Sequence, residues 1–228
     1  YPQELVEADT MLMRGQYTRA DSLLAAFDQS TAESHYSIHM YRRLLGLIRQ
    51  YTVSKLSAED YPMADSLVRY YKKEKTRESA MAKLILADVY RSEEAYPSAL
   101  NMLLQCEQDL SSINEPILQI WVNRRIGDVY FKQRMLPECT SYYQESFKLA
   151  CSQNDSMRKA IAAFFMARVC MINNKADSAL YYLKESIEWS ELCPDEEYIS
   201  DAAKSTLADI YIQIEEYDKA VVLEEEGQ

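Results

Sequence analysis

Residues 87–103 read Ala87-Asp88-Val89-Tyr90-Arg91-Ser92-Glu93-Glu94-Ala95-Tyr96-Pro97-Ser98-Ala99-Leu100-Asn101-Met102-Leu103. Two small residues, Ala87 and Ala99, stand twelve places apart. Each has a large neighbour at helical spacing: Tyr90 follows Ala87 by three, Tyr96 precedes Ala99 by three, and Leu103 follows Ala99 by four. The polar residues between them read as a turn. The segment therefore predicts two antiparallel helices, with small residues where the backbones come close and aromatics filling the space beside them.

The arrangement returns along the chain. Residues equivalent to Ala99 are Ala20, Ala64, Cys139, Ala179 and Ala220, at successive intervals of 44, 35, 40, 40 and 41 when Ala99 is included. Ala8, Ala87, Gly127, Ala167 and Ala208 precede five of these six by twelve. A fixed period near forty marks a stacked array of short helical units. Pro62, Pro97 and Pro137 recur in phase, each two places before the marker and each preceded by Tyr or Leu. That spacing puts all three in the opening turn of a second helix, where a missing N–H costs little. In the segment 116–151, Asn114 can cap the first helix, and Ile117, Ile120, Trp121, Val122, Ile126, Val129 and Tyr130 give it the broad apolar surface of a helix sandwiched between neighbours. The approximate units are 1–30, 31–76, 77–113, 114–153, 154–193 and 194–228. The second is irregular: a helix near Tyr36 to Val53 ends before the insertion-like stretch Ser54 to Asp60. No linker or low-complexity stretch separates the units, so 1–228 is read as a single domain.

Composition agrees with helices joined by tight turns. The chain has 228 residues, 48% of them apolar, and only 4 glycines. A net charge of -11 opposes direct binding to a phosphate backbone or an anionic membrane surface. The longest uncharged apolar run, Ala160 to Ala167, is far short of a transmembrane span. The chain starts at Tyr1 without a methionine and ends in an acidic run, so both ends read as cut, and a leader or anchor outside the sequence is compatible with it. Five cysteines without a C-x-x-C pair imply neither a disulfide framework nor a zinc site. Cys139 and Cys170 stand at repeat positions that hold Ala or Tyr elsewhere and are expected in the core.

These residues resemble the tetratricopeptide repeat. The match reads Ala87-x-x-Tyr90, Tyr96-x-x-Ala99, Leu103, then Gly127-x-x-Tyr130, Leu136-x-x-Cys139, Tyr143, then Ala208-x-x-Tyr211, Tyr217-x-x-Ala220. It covers nearly the whole chain, although the period is near 40 and that of the family is about 34. The resemblance implies an all-α fold, a right-handed α-solenoid of about six antiparallel helix pairs whose first helices line a concave groove. A narrower resemblance rests on Tyr1-Pro2-Gln3-Glu4-Leu5, Ala8-Asp9 and the recurring Asp-Ser pairs at Asp21, Asp65 and Asp177. It is to tetratricopeptide proteins of Bacteroidetes bacteria, many of them exported and some linked to a membrane helix and a helix-turn-helix regulator domain. This implies a periplasmic or envelope-associated location, with a cytoplasmic one left open.

The groove stripe falls one place after each first-helix small residue and at its helical neighbours. In the fourth unit this selects Trp121, Arg124, Asp128 and Phe131, spaced three, four and three apart and hence on one face. Other units add Asp88 and Arg91, then Phe164, Arg168 and Met171, then Asp209 and Ile212. Arginines among aromatics are what an interaction hot spot needs; an ordinary solvated face is the alternative. Some members of the family grip a terminal carboxylate with asparagines and basic residues in the groove. Here Asp88, Asp128 and Asp209 stand at the asparagine positions and Phe164 at a basic one, which disfavours that clamp. Aspartate repels a carboxylate unless an arginine neutralises it, so Arg124 and Arg168 remain able to receive an acidic peptide.

His35 and His39 are four apart but lack the glutamate of a zinc-protease motif, so no metal is expected. No catalytic constellation, glycine-rich phosphate loop or cofactor motif is evident. The expected function is a non-catalytic scaffold binding a protein or peptide in its groove. The alternative is the sensory or partner-binding segment of a membrane-anchored transcriptional regulator whose other parts lie outside this chain.

Overall fold

The computed structural model describes residues 1–30, 35–53, 56–72, 75–193 and 197–213. Among these residues the chain forms eleven α-helices and no strand. They fall into two compact units, Tyr1–Leu118 and Gln119–Gln228. The first contains α1 (Gln3–Met13), α2 (Tyr17–Ser30), α3 (Tyr36–Thr52), α4 (Tyr61–Tyr71), α5 (Arg77–Ser92) and α6 (Tyr96–Leu110). The second takes most of α7 (Pro116–Lys132), then α8 (Leu136–Ser152), α9 (Ser156–Ile172), α10 (Ala176–Glu191) and α11 (Glu197–Gln213). No helix among the described residues is long and apolar enough to cross a membrane.

The forty-residue interval has a direct origin. Helices α7, α8 and α9 are each 17 residues long. The turns between them are already short, so the residues added beyond the family's period of about 34 lengthen the helices. Pro62, Pro97 and Pro137 sit in the first turns of α4, α6 and α8, as their phase predicts. Thr76 and Asp155 cap α5 and α9 by accepting the backbone N–H of Ser79 and Arg158.

The turn within each regular hairpin is one repeated device. Gly15, Glu94, Arg134 and Asn174 have φ of 74°, 57°, 61° and 55°. Each lies five residues before a marker: Ala20, Ala99, Cys139 or Ala179. The next backbone N–H then reaches back to a carbonyl in the last turn of the first helix. The bonds are Gln16 to Met11 at 2.9 Å, Ala95 to Tyr90 at 2.9 Å, Met135 to Tyr130 at 3.0 Å and Lys175 to Cys170 at 2.9 Å. This is the left-handed helix stop, which satisfies a terminal carbonyl and reverses the chain.

The marker residues lie where close backbone approach requires them. Ala20, Ala64, Ala99, Cys139 and Ala179 are all 0% exposed; Tyr217 and Ala220 lie outside the described residues. Ala8, Ala87, Ala167 and Ala208 are buried as well. At Gly127 a Cβ would stand 2.5 Å from two ring carbons of Tyr143, so only glycine fits beneath that ring. Cys139 and Cys170 pack in the core as expected, and burial pushes both thiols up from their ordinary value.

A second forty-residue register joins the two helices of a hairpin. Cys106 Sγ donates to the Ala80 carbonyl at 3.1 Å, Ser146 Oγ to Ile120 at 3.2 Å and Ser186 Oγ to Ala160 at 2.8 Å. Each donor stands seven residues after its marker and is buried. In the first unit the irregular second hairpin is fastened by charge instead. On α3, Arg42 forms paired bonds to Asp28 and Arg49 to Asp21, both aspartates on α2. Buried Asp9 on α1 accepts the Tyr41 hydroxyl at 2.6 Å and both terminal nitrogens of Arg77, whose Nε faces Glu115 at 3.3 Å.

Candidate functional site

Helices α7 and α9 carry the expected stripe in the second unit. Arg124, Asp128 and Phe131 on α7 stand forty residues before Phe164, Arg168 and Met171 on α9. Both triplets run i, i+4, i+7, which puts each on one helical face. The helices bring Arg124, Phe164 and Arg168 together around one ring that the stripe did not select, Phe165, with Phe131 on the same Arg168.

Arg168 is the centre of the cluster. Its guanidinium carbon lies 4.7 Å from the Phe131 ring centroid, 5.5 Å from that of Phe165 and 6.0 Å from that of Phe164. Arg124 lies over the same Phe165 ring at 5.6 Å. Phe165 also packs on the Tyr143 ring at 5.2 Å and edge-on to Phe164 at 5.7 Å. Cations over aromatic faces gain about 0.5–2 kcal/mol each, more as water is excluded.

Asp128 is fully committed. Its Oδ1 accepts the Tyr143 hydroxyl at 2.8 Å and its Oδ2 accepts Arg125 Nη1 at 3.0 Å, with Arg124 Nη1 3.9 Å away. Burial, the Asp128 charge and the hydrogen bond to it together push the Tyr143 phenol well up, while the Arg168 charge opposes them. Tyr143 is therefore a fixed donor at neutral pH. The aspartate that would repel an incoming carboxylate is neutralised, which is the condition the sequence set. Arg125, Tyr143 and Phe165 were not selected from the sequence. Arg125 and Phe165 each adjoin a selected residue, and Tyr143 carries the marker-plus-four spacing.

The other selected residues are placed as follows. Asp88 is 2% exposed and pairs with Arg91 at 2.8 Å in the first unit. Trp121 is 6% exposed, with the Arg158 guanidinium 5.5 Å from its ring, so it is a core residue rather than a lining one. Both are buried because the inner helices of the hairpins pack on more than one side, and a single stripe does not separate lining from core. Met171 is half-buried against the cluster of Ala167, Cys170 and Leu183. Asp209 and Ile212 are exposed on α11. Lys159 is buried with its ammonium 4.2 Å from the Trp189 ring, and Trp189 donates to Glu185. His35 and His39 are exposed. Among the described residues no group of three or more His, Cys, Asp or Glu is placed to hold a metal.

No protein-family model matches the chain, and no curated protein matches it in sequence. Solved structures do match in fold. A Rap protein in complex with competence and sporulation factor aligns over 98% of this chain and 64% of its own, with a TM-score of 0.77 and 14% identity. A signal-transduction ATPase with a tetratricopeptide-repeat sensor, from Pyrococcus horikoshii, aligns over 95% of this chain and 34% of its own, with a TM-score of 0.67 and 15% identity. The quorum sensor NprR from B. thuringiensis, in its apo form, aligns over 98% and 74%, with a TM-score of 0.61 and 12% identity. The chain thus spans less than two-thirds of the length of the first two. Its helices, turns and buried small residues are those of the tetratricopeptide-like helical-repeat fold.

Proposed function

We propose that this chain is a non-catalytic scaffold that binds a protein or peptide segment, and that the face built by Arg124, Asp128, Phe131, Phe164, Arg168 and Met171 takes part in the contact. The observation that carries this reading is Arg168, held over three phenylalanine rings with no carboxylate of its own among the described residues. An arginine stacked on aromatics, partly exposed and rigidly supported, has the make-up of a binding hot spot. The fold supports the reading, because the similar Rap structure is a complex with a named factor and the similar NprR is a quorum sensor. The fixed ring cluster gives recognition by a preformed surface, without bond chemistry. Affinity capture with the intact chain and with an Arg124→Glu/Arg168→Glu variant tests it: the wild type retains a partner that the variant loses. Equal recovery by both would refute the assignment of the face.

A second reading, the sensory segment of a larger regulator, is favoured by one observation. The tetratricopeptide portion of the similar Pyrococcus protein is a sensor within a much longer chain. Reading the full gene tests it: a membrane helix and a helix-turn-helix domain on the same chain are the expected finding, and their absence there excludes this reading.

A further inference from the structure

We propose that the partner segment presents an Asp or Glu side chain and that Arg168 receives its carboxylate. The inference rests on the binding face above and assigns the chemistry of what occupies it.

Arg168 stands apart from the other arginines that are at least partly buried. Arg42, Arg49, Arg77, Arg91, Arg124, Arg125 and Arg158 are all at least partly buried, and each has an aspartate within ion-pair distance. Arg168 is partly buried as well, yet among the described residues no carboxylate pairs with it. This holds in a chain with 36 acidic residues against 25 Lys and Arg. The nearest aspartate in the cluster, Asp128, already serves Tyr143, Arg125 and Arg124. Both of its oxygens are thus engaged by groups other than Arg168.

The geometry prepares Arg168 for an anion. Arg124 and Arg168 both converge on the Phe165 ring, at 5.6 Å and 5.5 Å. Two like charges converging on one ring repel each other, and an anion beside them removes that cost. Three aromatic rings lie 4.7–6.0 Å from the Arg168 guanidinium carbon and offer it no carboxylate oxygen. Its N–H donors lie in its own plane and remain for an acceptor outside the cluster, in the fork that matches a carboxylate. The surrounding phenylalanines exclude water and strengthen the contact.

The test is selection of a random peptide library with blocked C-termini on the intact chain, so that only side chains supply carboxylates. The expected result is a shared Asp or Glu among the recovered peptides. Changing that residue to Asn or Gln weakens binding about ten-fold or more. Arg168→Gln causes a loss of similar size, and combining the two changes adds little further. Arg168→Lys keeps the charge without the fork and is expected to fall between; it and the peptide-side change carry the test if Arg168→Gln does not fold. Recovered peptides without a shared acid, or an acid whose removal is indifferent to Arg168, would overturn the carboxylate assignment while leaving peptide binding intact. Recovery of no peptide by a folded chain would overturn the binding face as well.

Discussion

Gly127 and Tyr143 show how much a single position decides. The missing Cβ lets the phenol ring lie against the α7 backbone, and from there its hydroxyl reaches Asp128. Any side chain at 127 must push that ring away. Gly127→Leu is expected to destabilise the fold by about 1–3 kcal/mol through overpacking, read as a lower urea midpoint. An unchanged midpoint would reject the packing described. The need for a small residue at 127 was legible, because the position recurs as Ala8, Ala87, Ala167 and Ala208. The ring that crosses it was not, since spacing along α8 does not say which aromatic turns inward. The same limit applies to Phe165. It sits one place off the stripe that selected Phe164, and a helix packed on two sides uses both. Asp88 and Trp121 fit the stripe by spacing and are core by packing.

At the level of the hairpin, the prolines announced where second helices begin, but the turns that precede them were hidden. Gly15 and Asn174 are residue types expected for a positive φ; Glu94 and Arg134 adopt the same conformation with side chains that resist it. Their common place, five residues before the marker, becomes visible only once φ is known. These turns tolerate the strain because the following N–H closes a bond to the first helix. Arg134→Gly relieves it and is expected to stabilise by about 0.5–1 kcal/mol, measured by urea unfolding, while Arg134→Val is expected to destabilise. The Cys106, Ser146 and Ser186 ladder was likewise present in the sequence as a strict forty-residue series. It escaped reading because a small polar residue on a helix ordinarily signals a solvent face.

Across the whole molecule, the repeat period and the helical class were legible because the regular hairpins repeat the same solution with small variations. The polar ties that differ between hairpins were not. One such difference has a pH signature. Burial and the neighbouring aspartates raise the phenol of Tyr41 in the first unit and that of Tyr143 in the second above the ordinary value of 10.0. The fold therefore favours the protonated phenols. Their contribution is intact below pH 10 and declines above it, because the unfolded chain releases these protons first. Stability is expected to fall on the alkaline side of that value, and to fall less steeply in Tyr41→Phe and Tyr143→Phe. Urea midpoints taken along a pH series check this, and identical slopes in wild type and variants would contradict it.

The chain has 2 tryptophans, and both belong to the second unit, each beside a cationic side chain. Intrinsic indole emission is consequently a private reporter for residues 119–228, while far-ultraviolet ellipticity reports helices everywhere. Following both through one denaturant titration needs no label and no engineered variant. A chain that melts as one cooperative array gives superimposable curves, the outcome expected here, and emission that departs from ellipticity reveals a half that lets go first.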